Sequence, residues 1–114
     1  MLEKIHEYDT AFTGVTDEGI YLQLKLQTYL VYFGDAFQLQ DYQTGEEYML
    51  EFEKLLDMNP EAAIDHLLVG RSYSSAAIYY YRMGRLAKSR QVIEKGLTYA
   101  PDNIELKLKL AAFD

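Results

Sequence analysis

Two prolines divide the chain, and each of them ends a similar segment. Pro60 ends the run LLDMNP, and Pro101 ends the run GLTYAP, 41 residues further along. Self-similarity at a period of about 20 to 50 residues is the signature of repeat folds, in which neighbouring units cover each other's apolar faces. The chain is therefore predicted to contain two copies of one structural unit and a short remainder.

The second of these units has the pattern of a helical hairpin. Its apolar and small residues recur at three- and four-residue spacing, which is the period of one face of an α-helix. Asn59 and Pro60 have the residue types of a helix cap and a first-turn residue, which predicts a helix beginning at Glu61. Gly84 is predicted to end that helix in a left-handed conformation, and a second helix then runs as far as Pro101.

The first unit shows the same arrangement. Its first helix is predicted to begin at Glu18, behind a cap at Thr16 or Asp17. The dipeptide Thr44-Gly45 is predicted to form the turn of this hairpin, because glycine commonly ends a helix. A shorter second helix should follow this turn and end before the first proline.

These boundaries divide the chain into an N-terminal segment with at most a short helix, two repeats and a terminal helix, over residues 1–17, 18–60, 61–103 and 104–113. Asp102 or Asn103 is predicted to cap the terminal helix. Two stretches, 20–27 and 104–110, alternate apolar and polar residues as strands do. Both are predicted to be helical, because neither is rich in β-branched residues and leucine and lysine favour helices. The predicted fold class is all-α.

Large and small residues follow a particular order in the second unit. The order consists of Tyr73, Ala76, Ala77, Tyr80, Gly84, Ser89, Ile93, Gly96 and Pro101. It resembles the tetratricopeptide repeat, in which small residues let the two helices approach and large ones fill the gap to the next unit. The first unit matches at Leu30, Phe33, Gly34, Phe37, Phe52, Leu55 and Pro60. The resemblance implies a tetratricopeptide-like α-α superhelix of two hairpins and a terminal helix.

The resemblance also implies a groove for a peptide or protein partner, along the inner face of the first helix of each repeat. The groove positions are Val31, Asp35, Gln38, Arg71, Ser74, Ile78, Tyr81 and Arg82. The two arginines can hold an acidic or phosphorylated peptide through paired hydrogen bonds. Three consecutive tyrosines at 79–81 cannot all face one core, because successive helical residues turn by about 100°. Tyrosine is common at binding surfaces, so at least one is predicted to serve recognition.

The charge of the chain bears on its partners. The net charge is −7, with 14 acids and 3 bases in residues 1–69 but 4 acids and 8 bases in residues 70–114. Either two helical faces are solvated differently, or a dipolar module attracts a second copy or an acidic partner. No nucleic-acid partner is expected, because an acidic chain repels phosphates. No stretch is apolar over the length of a bilayer, so no membrane partner is expected. We expect a cytoplasmic protein or a soluble piece of a longer one.

No catalytic residue, cofactor or metal site is predicted. The chain has no cysteine, and its two histidines, His6 and His66, lack a partner at metal-ligand spacing. The serines Ser72, Ser74 and Ser75 lack the glycine-flanked turn of a nucleophile and are predicted to be small residues at a helix contact. We therefore expect Ala77→Leu to be costly and Ser72→Ala to have little effect on stability.

The terminal helix carries many apolar residues for its length. Self-association is predicted through Leu106, Leu108, Leu110 and Phe113. A stack of two repeats leaves one end uncovered, so we expect either a homodimer or a longer protein whose next element covers this end. The predicted function is a non-enzymatic protein–protein interaction module. The alternatives are a structural or oligomerisation domain, and a small acidic chaperone for a secreted protein.

Overall fold

Five helices make up most of the part of the chain that the computed structural model describes, residues 18–113. They are α1 (Glu18–Gln38), α2 (Tyr42–Met58), α3 (His66–Arg82), α4 (Leu86–Tyr99) and α5 (Ile104–Ala111). Residues 18–113 contain no strand, which confirms the all-helical prediction, and both alternating stretches are helical. The predictions for residues 1–17, including the cap at Thr16 or Asp17, lie outside the described residues.

The helices form two hairpins that lie side by side. Helix α1 packs against α2, and α3 packs against α4, while α1 also packs against α3. Helix α5 packs on α3 and α4. The Asn103 side-chain amide donates a hydrogen bond to the carbonyl oxygen of His66 over 3.0 Å, and the Phe113 ring lies 6.1 Å from that of Tyr81. Helices α3 and α5 therefore run in the same direction.

Aromatic side chains connect the two hairpins through one core. Phe33 on α1 contacts Phe52 on α2, at 6.3 Å between ring centroids, and Tyr73 on α3, at 5.1 Å. Phe37 on α1 lies 5.6 Å from Tyr80 on α3. All five rings are buried, and edge-on or tilted pairs of this kind each add about 0.5–1.5 kcal/mol beyond the area they bury. The same aromatic cluster therefore stabilises both hairpins and their relative position.

Small side chains let α1 and α3 approach closely. A Cβ atom on Gly34 would lie only 2.7 Å from the hydroxyl of Ser72, so a larger residue does not fit there. The Ser72 hydroxyl donates a buried 2.7 Å hydrogen bond to the carbonyl oxygen of Leu30. This bond corrects the expectation that Ser72→Ala has little effect, because the hydroxyl is a tie between helices as well as a small group.

The start of α3 differs from the prediction. Asn59 ends α2, because its side-chain amide donates to the carbonyl oxygen of Leu55 over 3.0 Å. The predicted helix start at Glu61 behind Pro60 is therefore wrong, and residues 60–65 form a connection. Asp65 caps α3, with its carboxylate accepting hydrogen bonds from two backbone N–H groups at 3.0 and 3.1 Å.

The turn of the first hairpin also differs from the prediction. The chain turns at residues 39–41, where Gln40 has a positive φ of 63°. The predicted turn at Thr44-Gly45 is wrong, because both residues lie inside α2. Gly45 is a packing residue, since a Cβ there would lie 2.7 Å from the ring of Phe37.

Two other boundary signals are confirmed. Gly84 adopts a φ of 76° between α3 and α4, which a residue with a side chain rarely does. The side chain of Asn103 accepts a hydrogen bond from the N–H of Leu106 over 3.0 Å and so caps α5. Helix α5 ends at Ala111, two residues before the predicted end at Phe113.

Candidate binding surfaces

A cleft runs along the contact between α1 and α3. We call it the α1–α3 cleft, and it consists of two adjoining hollows. The first is lined by Val31, Gly34, Asp35, Gln38, Leu68, Arg71, Ser72 and Ser75. The second has a volume of about 270 Å³ and is lined by Phe37, Gln38, Gln40, Ser75, Ile78, Tyr79, Arg82 and Met83. Gln38 donates a 3.2 Å hydrogen bond to Ser75, and this pair forms the boundary that the hollows share.

Six of the eight predicted groove residues line this cleft. They are Val31, Asp35, Gln38, Arg71, Ile78 and Arg82. The other two lie elsewhere, because α5 packs on the neighbouring side of α3. Ser74 is only 2% exposed there, and Tyr81 contacts Phe113 beyond the end of α5. The sequence pattern thus brings six of these residues to one cleft, and it did not indicate which side of α3 another helix covers.

The electrostatic character of the cleft differs from that of the whole chain. Arg71 and Arg82 are both exposed, and neither forms an ion pair with any other residue in 18–113. They lie eleven positions apart on one helix, which is about 16 Å along its axis. Asp35 is the one acidic residue among the lining side chains. The α1–α3 cleft is therefore locally basic in a chain whose net charge is −7.

The second hollow includes residues that the sequence analysis did not assign to a site. Tyr79 lines this hollow, and its ring is stacked on that of Tyr42 at 5.9 Å and lies 5.7 Å from that of Phe37. Met83 lies at the rim and is exposed. Tyr79 and Met83 follow Ser75 at four-residue spacing, so they lie on the same face of the helix as Ser75. This spacing was the signal in the sequence that could have assigned them to the hollow.

Two buried tyrosines join α3 to α2. The hydroxyl of Tyr73 donates a 2.7 Å hydrogen bond to the carboxylate of Glu53, and that of Tyr80 donates to Glu46. Burial raises the pKa of Tyr73 well above its ordinary value, and the nearby charge of Glu53 raises that pKa further. Burial and the hydrogen bond to Glu46 raise the pKa of Tyr80 in the same way. Both hydroxyls therefore stay protonated at neutral pH and act as interhelical ties.

The predicted self-association residues are divided between the core and the surface. Leu106 is fully buried, because it packs against Gly96, whose missing side chain leaves room for it. Leu110 and Phe113 are half-buried against the core, whereas Leu108 is 68% exposed. Leu106 is thus not available at the surface. The exposed apolar stripe of α5 consists of Ile104, Leu108 and Ala111.

Comparison with known protein families, curated proteins and solved structures found no match to this chain. The resemblance to the tetratricopeptide repeat therefore stays a prediction. None of the five helices is both long and apolar enough to cross a membrane. Among residues 18–113, no three histidine, aspartate or glutamate side chains are grouped so that they could hold a metal ion.

Proposed function

We propose that this chain is a non-enzymatic protein-interaction module with a tetratricopeptide-like superhelix, and that its α1–α3 cleft binds a segment of a partner protein. One observation carries the proposal. The first helices of the two hairpins form a continuous cleft that combines exposed apolar side chains with two arginines that have no ion-pair partner among residues 18–113.

The apolar part of the cleft is small, which favours side chains of a peptide over a whole drug-sized ligand. Val31 and Ile78 are 37% and 38% exposed at its rim, and the rings of Phe37 and Tyr79 line the second hollow. A volume of about 270 Å³ lies near the lower end of ligand pockets, which measure about 300–1,000 Å³. The hollow therefore suits one or two apolar side chains that project from an extended or helical segment.

The charge of the cleft favours an acidic or phosphorylated segment. A guanidinium group binds carboxylates and phosphates through two parallel hydrogen bonds. The whole chain has a net charge of −7, so an acidic segment is attracted where bases outnumber acids, as they do beside Arg71 and Arg82. The partner segment is thus expected to carry an apolar residue for the hollow near Ile78, with acidic groups on either side of it.

A selection from a displayed library of random peptides tests this function directly. Peptides selected on the unmodified chain should be acidic around an apolar residue, and their affinity should fall as salt rises. Fluorescence anisotropy should show at least roughly tenfold weaker binding to Ile78→Glu and to Arg82→Glu. Leu108→Glu is the matched control, because it places the same charge on an exposed apolar position outside the cleft. Equal binding to Ile78→Glu and the unmodified chain, or the absence of any selected peptide, would refute the proposal.

The exposed stripe on α5 favours a second candidate function, a structural or oligomerisation domain. Helix α5 packs on the core through Leu106, while Ile104 and Leu108 on its other side are 71% and 68% exposed. A repeat stack continues through such a face when another helix covers it. Leu108→Glu should abolish association through this stripe, as measured by sedimentation equilibrium, and should leave peptide binding in the cleft unchanged.

A further inference from the structure

A second groove, separate from the α1–α3 cleft, lies between α2 and α4. We call it the α2–α4 groove. It has a volume of about 240 Å³ and is lined by Met49, Leu50, Glu53, Tyr73, Lys88, Gln91, Val92 and Lys95. The two helices make no extended contact with each other, although each packs closely on its hairpin partner. The groove is therefore open along its length, with Tyr73 of α3 in the lining between its two walls.

The two walls of the groove carry opposite charges. The α2 wall carries Glu46, Glu53 and Asp57, and Glu47 lies beside it on the outer surface. The α4 wall carries Lys88 and Lys95, spaced by seven residues as Glu46 and Glu53 are. No ion pair joins α2 to α4 in the part of the chain that the structure describes. Each wall therefore retains a charge that another surface can neutralise.

Apolar side chains occupy the centre of the groove between these charges. Met49 and Val92 are buried in it, and Leu50 projects from α2 with 55% of its surface exposed. When a second copy of the groove faces the first, the exposed leucine of each copy can pack into the hollow of the other. The same surface then supplies both parts, as a two-fold symmetric interface requires.

We propose that a second copy of this chain docks on the α2–α4 groove and forms a two-fold symmetric dimer in which α2 of each copy packs against α4 of the other. Such an axis must lie in the plane of the interface, and its two limiting directions are across the helices and along them. An axis across the helices places α2 on α2, so that acidic walls meet. An axis along the helices places α2 on α4, so that acidic walls meet basic walls, and the charges select this arrangement.

The same axis also determines the register of the dimer. Rotation about an axis parallel to the helices does not change the position of a residue along the helix direction, which we call its height. Glu46 shares its height with Lys88, because both contact Tyr80, the glutamate through the hydroxyl and the lysine at 5.7 Å from the ring. Glu53 and Lys95 both line the groove one heptad further along. Glu46 and Glu47 thus face Lys88 of the second copy, Glu53 and Asp57 face Lys95 of the second copy, and the two Leu50 side chains lie near the axis.

The size of the groove sets the strength of this dimer. A helix of 17 residues is about 25 Å long, and two helices side by side, each about 10 Å in diameter with its side chains, present a face about 20 Å wide. The footprint is therefore about 500 Å² on each copy and about 1,000 Å² in total, close to the lower limit for specific interfaces. The dimer is accordingly expected to be reversible, with a dissociation constant roughly in the micromolar range. The proposal goes beyond peptide binding, because the α1–α3 cleft stays open in such a dimer.

Charge-reversed variants test the pairing of α2 with α4 by sedimentation equilibrium. The α2-reversed variant is Glu47→Lys with Asp57→Lys, and the α4-reversed variant is Lys88→Glu with Lys95→Glu. Both keep Glu46 and Glu53, which accept hydrogen bonds from tyrosines, and far-UV circular dichroism checks that both remain helical. Each variant alone should dimerise at least tenfold more weakly than the unmodified chain, because the α2 wall loses its net negative charge in one variant and both walls are acidic in the other. An equimolar mixture of the two should dimerise more strongly than either variant alone, because the acidic α2 wall of one variant then faces the basic α4 wall of the other, and the new lysines face the new glutamates.

Three results would overturn the proposal. The first is an unmodified chain that stays monomeric at concentrations far above the micromolar range. The second is a mixture of charge-reversed variants that associates no better than either variant alone. The third is dissociation by Leu108→Glu but not by Leu50→Glu, which would place the interface on α5. Leu50→Glu also keeps the test decisive if a double variant fails to fold, because it changes one exposed residue only and should weaken the dimer by itself.

Discussion

Replacing Tyr73 by phenylalanine is expected to destabilise the protein at neutral pH and to stabilise it, relative to the unmodified chain, at high pH. The substitution keeps the ring that contacts Phe33 and Phe52. It removes only the hydroxyl that donates to Glu53. The two effects have opposite signs because the hydroxyl is a favourable donor while protonated and an unfavourable buried charge once ionised.

The loss at neutral pH follows from the hydrogen bond. A bond to a charged group contributes about 1.5–3 kcal/mol. Glu53 is half-exposed and regains water when the hydroxyl is removed, so the net loss should be about 1–2 kcal/mol. Ring packing contributes little to the difference, because phenylalanine fills the same space.

The sign at high pH follows from proton linkage. Burial and Glu53 raise the pKa of Tyr73 well above the ordinary value of 10.0, which applies to the unfolded chain. Above that value the unfolded chain binds fewer protons than the folded one, so the free energy of unfolding falls as pH rises. The contribution of Tyr73 is thus fully present below pH 10, and its loss reaches about 1.4 kcal/mol at about pH 11. The stability curves of the two proteins should therefore cross at about pH 11.

Urea titrations followed by far-UV circular dichroism at a series of pH values measure both curves. Tyr81→Phe is the matched control, since that side chain is exposed and its substitution should leave the difference from the unmodified chain small at every pH. Parallel curves for Tyr73→Phe and the unmodified chain up to about pH 11.5 would refute the reasoning, because they would show that the hydroxyl ionises equally in both states.

Three further predictions concern packing and capping, and urea denaturation measures all of them. Ser72→Ala should lower the free energy of unfolding by about 1–2 kcal/mol, because its buried hydrogen bond is lost, whereas Ser74→Ala should be neutral or stabilising, because its hydroxyl has no partner among residues 18–113. Equal responses of the two serines would contradict this assignment. Ala77→Leu should cost about 1–3 kcal/mol, since it overfills the contact of α3 with α4, and a neutral result would contradict that packing. Asp65→Ala should cost about 1 kcal/mol through the lost cap of α3, and no loss would show that the cap is dispensable.

The helices were predictable from sequence because their apolar residues recur at helical spacing and two of the connections carry strong signals. Gly84 and Asn103 are residue types that end or cap a helix, and both do so. The turn before α2 has no such signal, because Gln40 takes the positive φ there, and few residues other than glycine do so. The turn was predicted at Gly45 because glycine is common in turns, although the role of Gly45 is to accommodate Phe37.

The candidate binding surfaces were predictable only as far as single helices determine them. Spacing along α1 and α3 placed six groove residues on one cleft, since residues three and four apart share a face. The burial of Ser74 and of Leu106 depends on where α5 packs, which no pattern within one helix reveals. The α2–α4 groove was not predictable for the same reason, because its opposite walls come from two hairpins.

The two tyrosine–glutamate hydrogen bonds specify how α2 is aligned with α3. Tyr73 and Tyr80 are one heptad apart, and so are their acceptors Glu53 and Glu46, in the order that antiparallel helices require. Sliding α2 by a single turn would replace its apolar contacts with others, which leucine, methionine and phenylalanine partly tolerate, although Gly45 would no longer accommodate Phe37. The same slip would separate both hydroxyls from both carboxylates at once and leave buried polar groups without partners. Replacing both tyrosines by phenylalanine should therefore yield a chain that is still helical but samples more than one alignment, visible as broadened or doubled amide resonances.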